Sequence, residues 1–297
     1  MKLTHKQAIF SAILAAALYA LSAPVAKLLL DSLSPAMMAA LLYLGAGMGM
    51  LLLEMAARRD SAFHHRTKAS LDLPLTKQDL PFVVGMIVLD ILAPLLLLNG
   101  LKLTTSANAS LLNNFEIVAT SLIAFTFFKE KVSPRLWTSI ILVTIASILL
   151  SIEDTGSLHF SIGSILVLLA CICWGLENNF TRKLSDKNPM QIVVIKGFGS
   201  GLGALIIAAL LNELHGDLGH VIGALLLGFA AYGLSIFFYV RAQRNLGAAK
   251  TSSFYATAPF FGVAFSFLLF RTPPTTLFVI ALLIMMAGAY LSATDKT

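Results

Sequence analysis

Charged residues are scarce in this sequence: they make up 12% of its 297 residues, whereas hydrophobic residues make up 58%. A typical soluble domain carries roughly 25% charged residues. So much apolar surface is stable only where lipid replaces water around the chain. The composition excludes an ordinary soluble domain and predicts an integral membrane protein whose first partner is the lipid bilayer.

Cysteine and histidine offer little for chemistry within the membrane. The two cysteines, Cys171 and Cys173, point about 200° apart on a helix and cannot form a disulfide with each other. The six histidines all lie in predicted tails and loops: His5, His64, His65, His159, His215 and His220. An intramembrane metal hydrolase needs histidines at membrane depth. We therefore predict that the protein is not an enzyme and holds no metal or other cofactor.

The net charge of +6 could suggest nucleic acid, but basic residues do not cluster with aromatic ones as nucleic-acid binding requires. The basic residues instead lie between apolar runs of roughly 20 residues, the length that spans a bilayer. The predicted spans are 8–30, 35–57, 80–101, 106–128, 134–152, 160–181, 189–211, 219–241, 249–271 and 275–293. Most connections are short, and the exception is a polar loop at 58–79. The sequence thus predicts an all-α polytopic protein with ten transmembrane helices and no nucleic-acid partner.

Lysine and arginine are distributed asymmetrically around these spans. If the two termini and every second loop share one side, that side holds 17 of the 21 Lys and Arg residues. Basic residues concentrate on the cytoplasmic side of membrane proteins. We expect both termini in the cytoplasm and the protein in a bacterial-type cytoplasmic (inner) membrane.

The two halves of the chain repeat each other in ordered offsets. The matched positions include Tyr19 with Trp174, Ser22 with Glu177, Pro35 with Pro189, Gly45 with Gly199, Ser110 with Ser252, Phe125 with Phe267, and Lys129 with Arg271. Each half has five spans, an odd number, so the second copy must insert upside down. The sequence predicts two inverted five-helix repeats, 1–153 and 154–297, with binding near the midplane where they meet.

The pattern resembles the EamA-type branch of the drug/metabolite transporter (DMT) superfamily. In each half of that family a small residue and Ser open the fourth helix, a Glu-Pro pair follows, and an acidic residue closes it. The corresponding pairs here are Ala109-Ser110, Glu116-Ile117 and Lys129-Glu130 in the first half, and Thr251-Ser252, Ala258-Pro259 and Arg271-Thr272 in the second. The proline and acidic positions are each kept in only one half. The resemblance implies ten helices and the transport of small metabolites, often exchanged for protons or another solute.

Four ionisable residues lie well inside predicted spans, where each costs at least roughly 2.5–3.5 kcal/mol. The four are Asp90, Glu116, Glu177 and Lys196. Glu116 shares a helix face with Asn113 and could bind and release a coupling proton. The alternative for Glu116 is a packing hydrogen bond between helices. Asp90, with Pro94 one turn on, could line a cavity or bond to a neighbouring helix.

Glu177 and Lys196 lie at similar predicted depths, about two turns from the same membrane face. We expect them to pair, either as a static clasp or as a gate that substrate opens; Lys196 could otherwise receive a substrate carboxylate. Trp174 and Asn178, beside Glu177, could contact a flat or cationic ligand, or Trp174 could anchor the helix at the interface.

Three tyrosines complete the predicted substrate site: Tyr19, which the repeat aligns with Trp174, and Tyr232 and Tyr255 on the eighth and ninth helices. For Tyr232 and Tyr255, plain helix packing is the alternative. We predict a secondary active transporter that exports a small polar metabolite such as an amino acid or amine, with protons as a candidate coupling ion. A uniporter or channel is the alternative, and a membrane-embedded enzyme is a weaker one.

Overall fold

The computed structural model describes residues 4–59, 75–129, 132–154, 159–184, 187–246 and 254–295. These ranges are helical apart from their connections and two short antiparallel strands, β1 (Ile152–Asp154) and β2 (His159–Phe160). The strands occupy the predicted fifth loop, where a strand pair was not expected. The polar loop predicted at 58–79 is described only at its ends, because 60–74 lie outside these ranges.

The helices form ten spans, here named TM1 to TM10 in chain order. Their bounds are His5–Ala20 and Ser22–Leu29 (TM1), Pro35–Arg59 (TM2), Leu80–Leu103 (TM3), Ser106–Leu112 and Phe115–Phe127 (TM4), Pro134–Ser151 (TM5), Ile162–Lys183 (TM6), Pro189–Leu210 (TM7), Leu218–Leu227, a π-helical segment Gly228–Leu234 and Ser235–Leu246 (TM8), Ala258–Phe270 (TM9), and Thr276–Ala293 (TM10). A 3₁₀ turn, Lys77–Asp79, precedes TM3.

Within the described ranges, nine of the spans are long and apolar enough to cross a membrane. TM9 has only 13 residues, and the start of its predicted span, at 249, lies outside the described residues. Large apolar side chains such as Phe127, Leu210 and Leu268 are more than 70% exposed on the outside of the bundle, where lipid would cover them. The prediction of an all-α polytopic membrane protein is confirmed.

Polar side chains fix where most of the helices begin. The N-cap residues that accept a hydrogen bond from a first-turn N–H are Thr4, Thr105, Ser133, Ser161, Asn188, Asp217 and Thr275. Each such cap contributes about 1 kcal/mol to helix stability. These N-caps lie between apolar runs, so the sequence encodes where these spans begin.

TM1 and TM4 are interrupted in mid-span, although the sequence predicted continuous helices. In TM1 the break is at Leu21, because Pro24 has no N–H to donate to the carbonyl of Ala20. In TM4 the break is at Asn113 and Asn114, whose short polar side chains compete with helical bonding. The Asn114 amide donates to the Leu111 carbonyl at 3.3 Å. Interrupted helices are where transporters commonly place binding sites.

The packing of the helices follows the predicted inverted repeat. TM2 packs on TM7, TM4 on TM9 and TM5 on TM10, which joins each helix to its counterpart in the other repeat. TM3 packs on TM6 and TM1 on TM8, two pairs that the same two-fold operation interchanges. Glycines allow TM2 and TM7 to approach closely, since a Cβ on Gly197 would lie only 2.4 Å from the Cα of Gly47.

A second sign of the repeat lies at the ends of TM4 and TM9. Lys129 and Arg271, which the repeat aligns, both adopt left-handed backbone conformations, with φ of 58° and 52°. Few residues other than glycine adopt this conformation. The two copies therefore end their fourth helices with the same turn. The chain boundary between the repeats, at 153/154, stays a prediction.

Candidate functional site

Three charged side chains from three helices meet inside the bundle. The Lys196 ammonium of TM7 lies 2.9 Å from Glu177 Oε1 of TM6 and 3.1 Å from Asp90 Oδ2 of TM3. Side-chain exposure is 16% for Lys196, 4% for Glu177 and 1% for Asp90. We call these three residues the ion triad. The predicted pairing of Glu177 with Lys196 is confirmed, and Asp90 joins it.

Asp90 is held from several directions. The Tyr43 hydroxyl of TM2 donates to Asp90 Oδ1 at 3.0 Å. The other carboxylate oxygen, Asp90 Oδ2, has the Lys196 ammonium as its partner. Pro94 leaves the backbone carbonyl of Asp90 without its usual donor one turn on. Asp90 thus carries both charge and unused hydrogen-bonding capacity at one buried position.

Glu177 is fixed by its own helix as well as by the ion pair. The Thr181 hydroxyl, one turn further along TM6, donates to Glu177 Oε1, the atom that also accepts from Lys196. Two donors on one oxygen orient the carboxylate toward TM7. Glu177 and Lys196 lie about 9–11 Å along their helices from the Lys183 and Pro189 ends. This depth agrees with the sequence-based estimate.

Glu116 lies just after the break in TM4, in the first turn of the segment Phe115–Phe127. The Asn178 amide of TM6 donates to Glu116 Oε1 at 2.6 Å and to Thr120 Oγ1 at 3.3 Å. Glu116 and Asn178 therefore form a second polar pair, in the same layer of TM6 as Glu177.

Asn113 does not share this pair, although the sequence predicted one helix face for Asn113 and Glu116. The break separates them, and Asn113 Oδ1 instead lies 3.9 Å from the Cys171 thiol. That thiol donates to the Leu112 carbonyl at 3.6 Å, which the break leaves without a helical partner. The sequence gives no signal for this contact between Cys171 and the interrupted helix TM4.

A chain of tyrosine rings runs from the ion triad across the bundle. Ring centroids are 5.5 Å apart between Tyr43 and Tyr232, 6.1 Å between Tyr232 and Tyr19, 5.8 Å between Tyr19 and Tyr255, and 5.0 Å between Tyr255 and Tyr239. These five rings, which we call the tyrosine chain, come from TM1, TM2, TM8 and the residues just before TM9. Glu116 interacts electrostatically with Tyr19, Tyr232 and Tyr255. The tyrosine chain therefore joins Asp90 to the neighbourhood of Glu116.

Trp174 has a different environment from its polar neighbours in sequence. It is 6% exposed and packs in the apolar core. A position at the lipid–water interface is therefore wrong for this residue, and no polar partner places it beside the ion triad. Tyr43, which does contact the triad, was not identified from sequence because nothing around it is polar.

Two grooves of the described chain lie away from these residues. One, of about 470 Å³, is lined by apolar side chains of TM2 and TM8, among them Met48, Leu225 and Phe229. Another, of about 220 Å³, is lined by the TM3–TM4 and TM9–TM10 connections, among them Thr105 and Pro274. Among the described residues, none of the groups of His, Cys, Asp and Glu is arranged to hold a metal ion.

A helical bundle of two inverted repeats that meet at buried charges defines a class of protein: a polytopic membrane transporter. The model of the EamA-like transporter family matches residues 6–152 and 161–294. The chain belongs to this family, which confirms the resemblance noted from sequence.

Two relatives of this chain are also named as transporters. An uncharacterized transporter of Methanothermobacter thermautotrophicus is 25% identical over 291 residues, covering 95% of this chain and 84% of that protein. The uncharacterized transporter YyaM of Bacillus subtilis is 25% identical over 199 residues, covering 64% of this chain and 65% of that protein. One crystal structure covers 98% of both chains with a TM-score of 0.66 at 14% identity, a likeness of fold alone.

Proposed function

We propose that this chain is a secondary active transporter that exports a small polar metabolite, such as an amino acid or amine, by alternating access. The observation that carries the proposal is the ion triad. Buried charge is expensive in a membrane and persists where it serves a pathway or a partner. Here it joins TM3 of the first repeat to TM6 and TM7 of the second, so relative movement of the repeats acts directly on it.

The triad has no charged counterpart in the other half of the site. The repeat relates Asp90 to Tyr232, Glu177 to Ser22 and Lys196 to Leu42. One side of the site is therefore closed by ion pairs and the other by apolar and aromatic contacts. We assign the ion triad the role of a gate on the cytoplasmic side, which opens when substrate competes for one of its carboxylates.

A further ion pair supports a gate at this end of the bundle. Lys187, in the TM6–TM7 connection, lies 3.1 Å from Asp79, which immediately precedes TM3. The two ionic contacts thus tie the TM3 and TM6–TM7 elements together at two depths. TM3 can move away from TM6 and TM7 only if both ionic contacts separate. Export requires such an opening on the cytoplasmic side, where the substrate enters.

Glu116 is the proposed proton carrier. Its carboxylate lies at a helix break and accepts a hydrogen bond from the Asn178 amide, which can also donate to the carbonyl oxygen of a neutral carboxyl group. The ionisable groups that interact with it electrostatically are Cys171 and Glu177 of TM6, Lys196 of TM7, Tyr19 of TM1, Tyr232 of TM8, and Tyr255 just before TM9. A proton entering from outside would neutralise Glu116 and release a bound substrate.

The test is transport in liposomes by the purified protein, screened with amino acids, amines and sugar derivatives under a pH gradient. Saturable, gradient-driven counterflow is expected, and Lys196→Met should abolish it. Full transport by Lys196→Met would exclude the gate. Unsaturable conductance would favour a channel. Reporter fusions at both ends should report cytoplasmic termini.

A further inference from the structure

The charges of the site do not balance, which bears on the kind of molecule it binds. Asp90 and Glu177 share one ammonium, that of Lys196, and a third carboxyl group, Glu116, is hydrogen-bonded to Asn178, the neighbour of Glu177 in TM6. If all are ionised, the site carries two net negative charges inside the bundle. Uncompensated carboxylates at this depth are strongly unfavourable. A positive ligand or bound protons must supply the missing charge.

The ammonium of the site is not available to a substrate anion. Lys196 contacts carboxylates on two different helices, at 2.9 and 3.1 Å. A substrate carboxylate would have to displace one of them and leave it unpaired in the interior. The sequence-based alternative in which Lys196 receives a carboxylate is therefore disfavoured by the geometry.

A second lysine in the membrane, Lys27 of TM1, is also occupied. Its ammonium donates to the backbone carbonyls of Leu101, of Lys102 at 3.2 Å and of Thr104 at 2.9 Å. It thereby caps the far end of TM3, where helix carbonyls carry partial negative charge. Among the described residues, neither of these lysines offers a free positive charge to a ligand.

The tyrosine chain adds an independent preference for positive charge. The centroids of successive rings in the tyrosine chain are 5.0 to 6.1 Å apart. The electron-rich face of each ring attracts a cation. They lie between Asp90, which Tyr43 contacts, and Glu116, which interacts with Tyr19 and Tyr255. A cation in this region meets aromatic faces with a carboxylate at either end.

From these observations we infer that the substrate is an organic cation, an amine or guanidinium compound whose positive group lies among the rings of the tyrosine chain and is attracted by the Asp90 and Glu116 carboxylates. This inference rests on the proposed transport function and narrows its substrate class. A ligand cation that replaced the Lys196 ammonium at Asp90 Oδ2 would leave Lys196 paired with Glu177. Substrate and protons then compete for the same carboxylates.

A charge series with one common ring tests the inference. Tyramine, tyrosine and 4-hydroxyphenylacetate carry the same phenol with a positive, zwitterionic or negative tail, and agmatine provides a guanidinium and amine without a ring. Saturable flux of each is measured in liposomes. In parallel, the shift in melting temperature is measured in detergent, which reports binding even when flux is slow.

The expected result is that tyramine or agmatine moves and stabilises the protein, while tyrosine and 4-hydroxyphenylacetate do neither. Glu116→Gln should lower the affinity for the cation at least about tenfold, and Asp31→Asn, which removes an exposed carboxylate, should not. Tyr19→Leu should weaken binding about threefold or more, whereas Tyr19→Phe keeps the ring and most of the affinity.

Two outcomes would overturn the inference in different ways. Flux and stabilisation by the zwitterion or the anion alone would exclude a cation site and leave the transporter proposal intact. If no flux and no stability shift occur with the four probes or with the amino acids, amines and sugars of the wider screen, both the cation site and the proposed transport function are contradicted.

Discussion

Lys196 and Glu177, on neighbouring helices and 19 positions apart in sequence, meet through a 2.9 Å ion pair inside the membrane-spanning bundle. Glu177 is oriented by Thr181 and Lys196 is shared with Asp90. Removing different members of this arrangement leaves different charges unpaired. The stability of single variants therefore distinguishes a shared triad from an isolated pair.

The first prediction concerns that difference. Lys196→Met leaves two buried carboxylates without a counter-charge, and losing a buried partner costs about 3–5 kcal/mol. Glu177→Gln leaves Asp90 and Lys196 paired, so its cost should be much smaller. Thermal unfolding in detergent measures both, with Asp31→Asn as the exposed control. Equal destabilisation by the two site variants would show that Asp90 does not share the lysine.

The second prediction concerns the coupling proton. Glu116→Gln mimics a permanently protonated carboxyl group and keeps the acceptor for Asn178. Uptake driven by a pH gradient should fall at least about tenfold, while exchange of substrate across the membrane at saturating substrate concentration, which needs no net proton movement, should persist. Both are measured in liposomes at a range of pH values. An unchanged response to the pH gradient would remove Glu116 as the proton carrier.

A third prediction tests the close packing of TM2 on TM7. A methyl group on Gly197 would come within 2.4 Å of the Cα of Gly47, a backbone atom that cannot move aside. Gly197→Ala should destabilise the protein by about 1–3 kcal/mol. Gly223→Ala is the matched control, because its new methyl group would meet only the end of the Leu29 side chain. Equal melting temperatures of the two variants would contradict this close contact between TM2 and TM7.

The fourth prediction uses the backbone at the end of TM9. Arg271 has φ of 52°, a conformation that costs a non-glycine residue about 1–2 kcal/mol. Arg271→Gly should therefore raise the free energy of unfolding, by roughly 1 kcal/mol once the greater freedom of glycine in the unfolded chain is subtracted. Lys6→Gly, in an exposed regular turn of TM1, should lower it by about 1 kcal/mol. Destabilisation by Arg271→Gly would contradict the left-handed turn.

Much of the architecture could be read from the sequence because the bilayer imposes it. Apolar runs, basic loops and paired offsets are local or periodic signals, and they predicted the ten helices and the inverted repeat. The interruptions of TM1 and TM4 were missed, since Pro24 and the pair Asn113-Asn114 occur within runs whose hydropathy hides them. Whether a helix bends or breaks at such residues depends on a neighbour that can bond the freed carbonyl, as Cys171 does for Leu112.

The site was only partly predictable. Burial cost alone identified Asp90, Glu116, Glu177 and Lys196, and similar depth suggested one pairing among them. Tyr43 was missed because a tyrosine in an apolar helix gives no sign of which helix it faces.

The sequence by itself determined that the chain crosses the membrane in two related halves, because hydropathy and repeat spacing are properties of the chain. The tertiary structure alone decided that Lys196 has two partners rather than one. Such a partnership depends on the angles at which TM3, TM6 and TM7 cross, and those angles follow from glycine contacts and helix breaks distributed over the whole bundle.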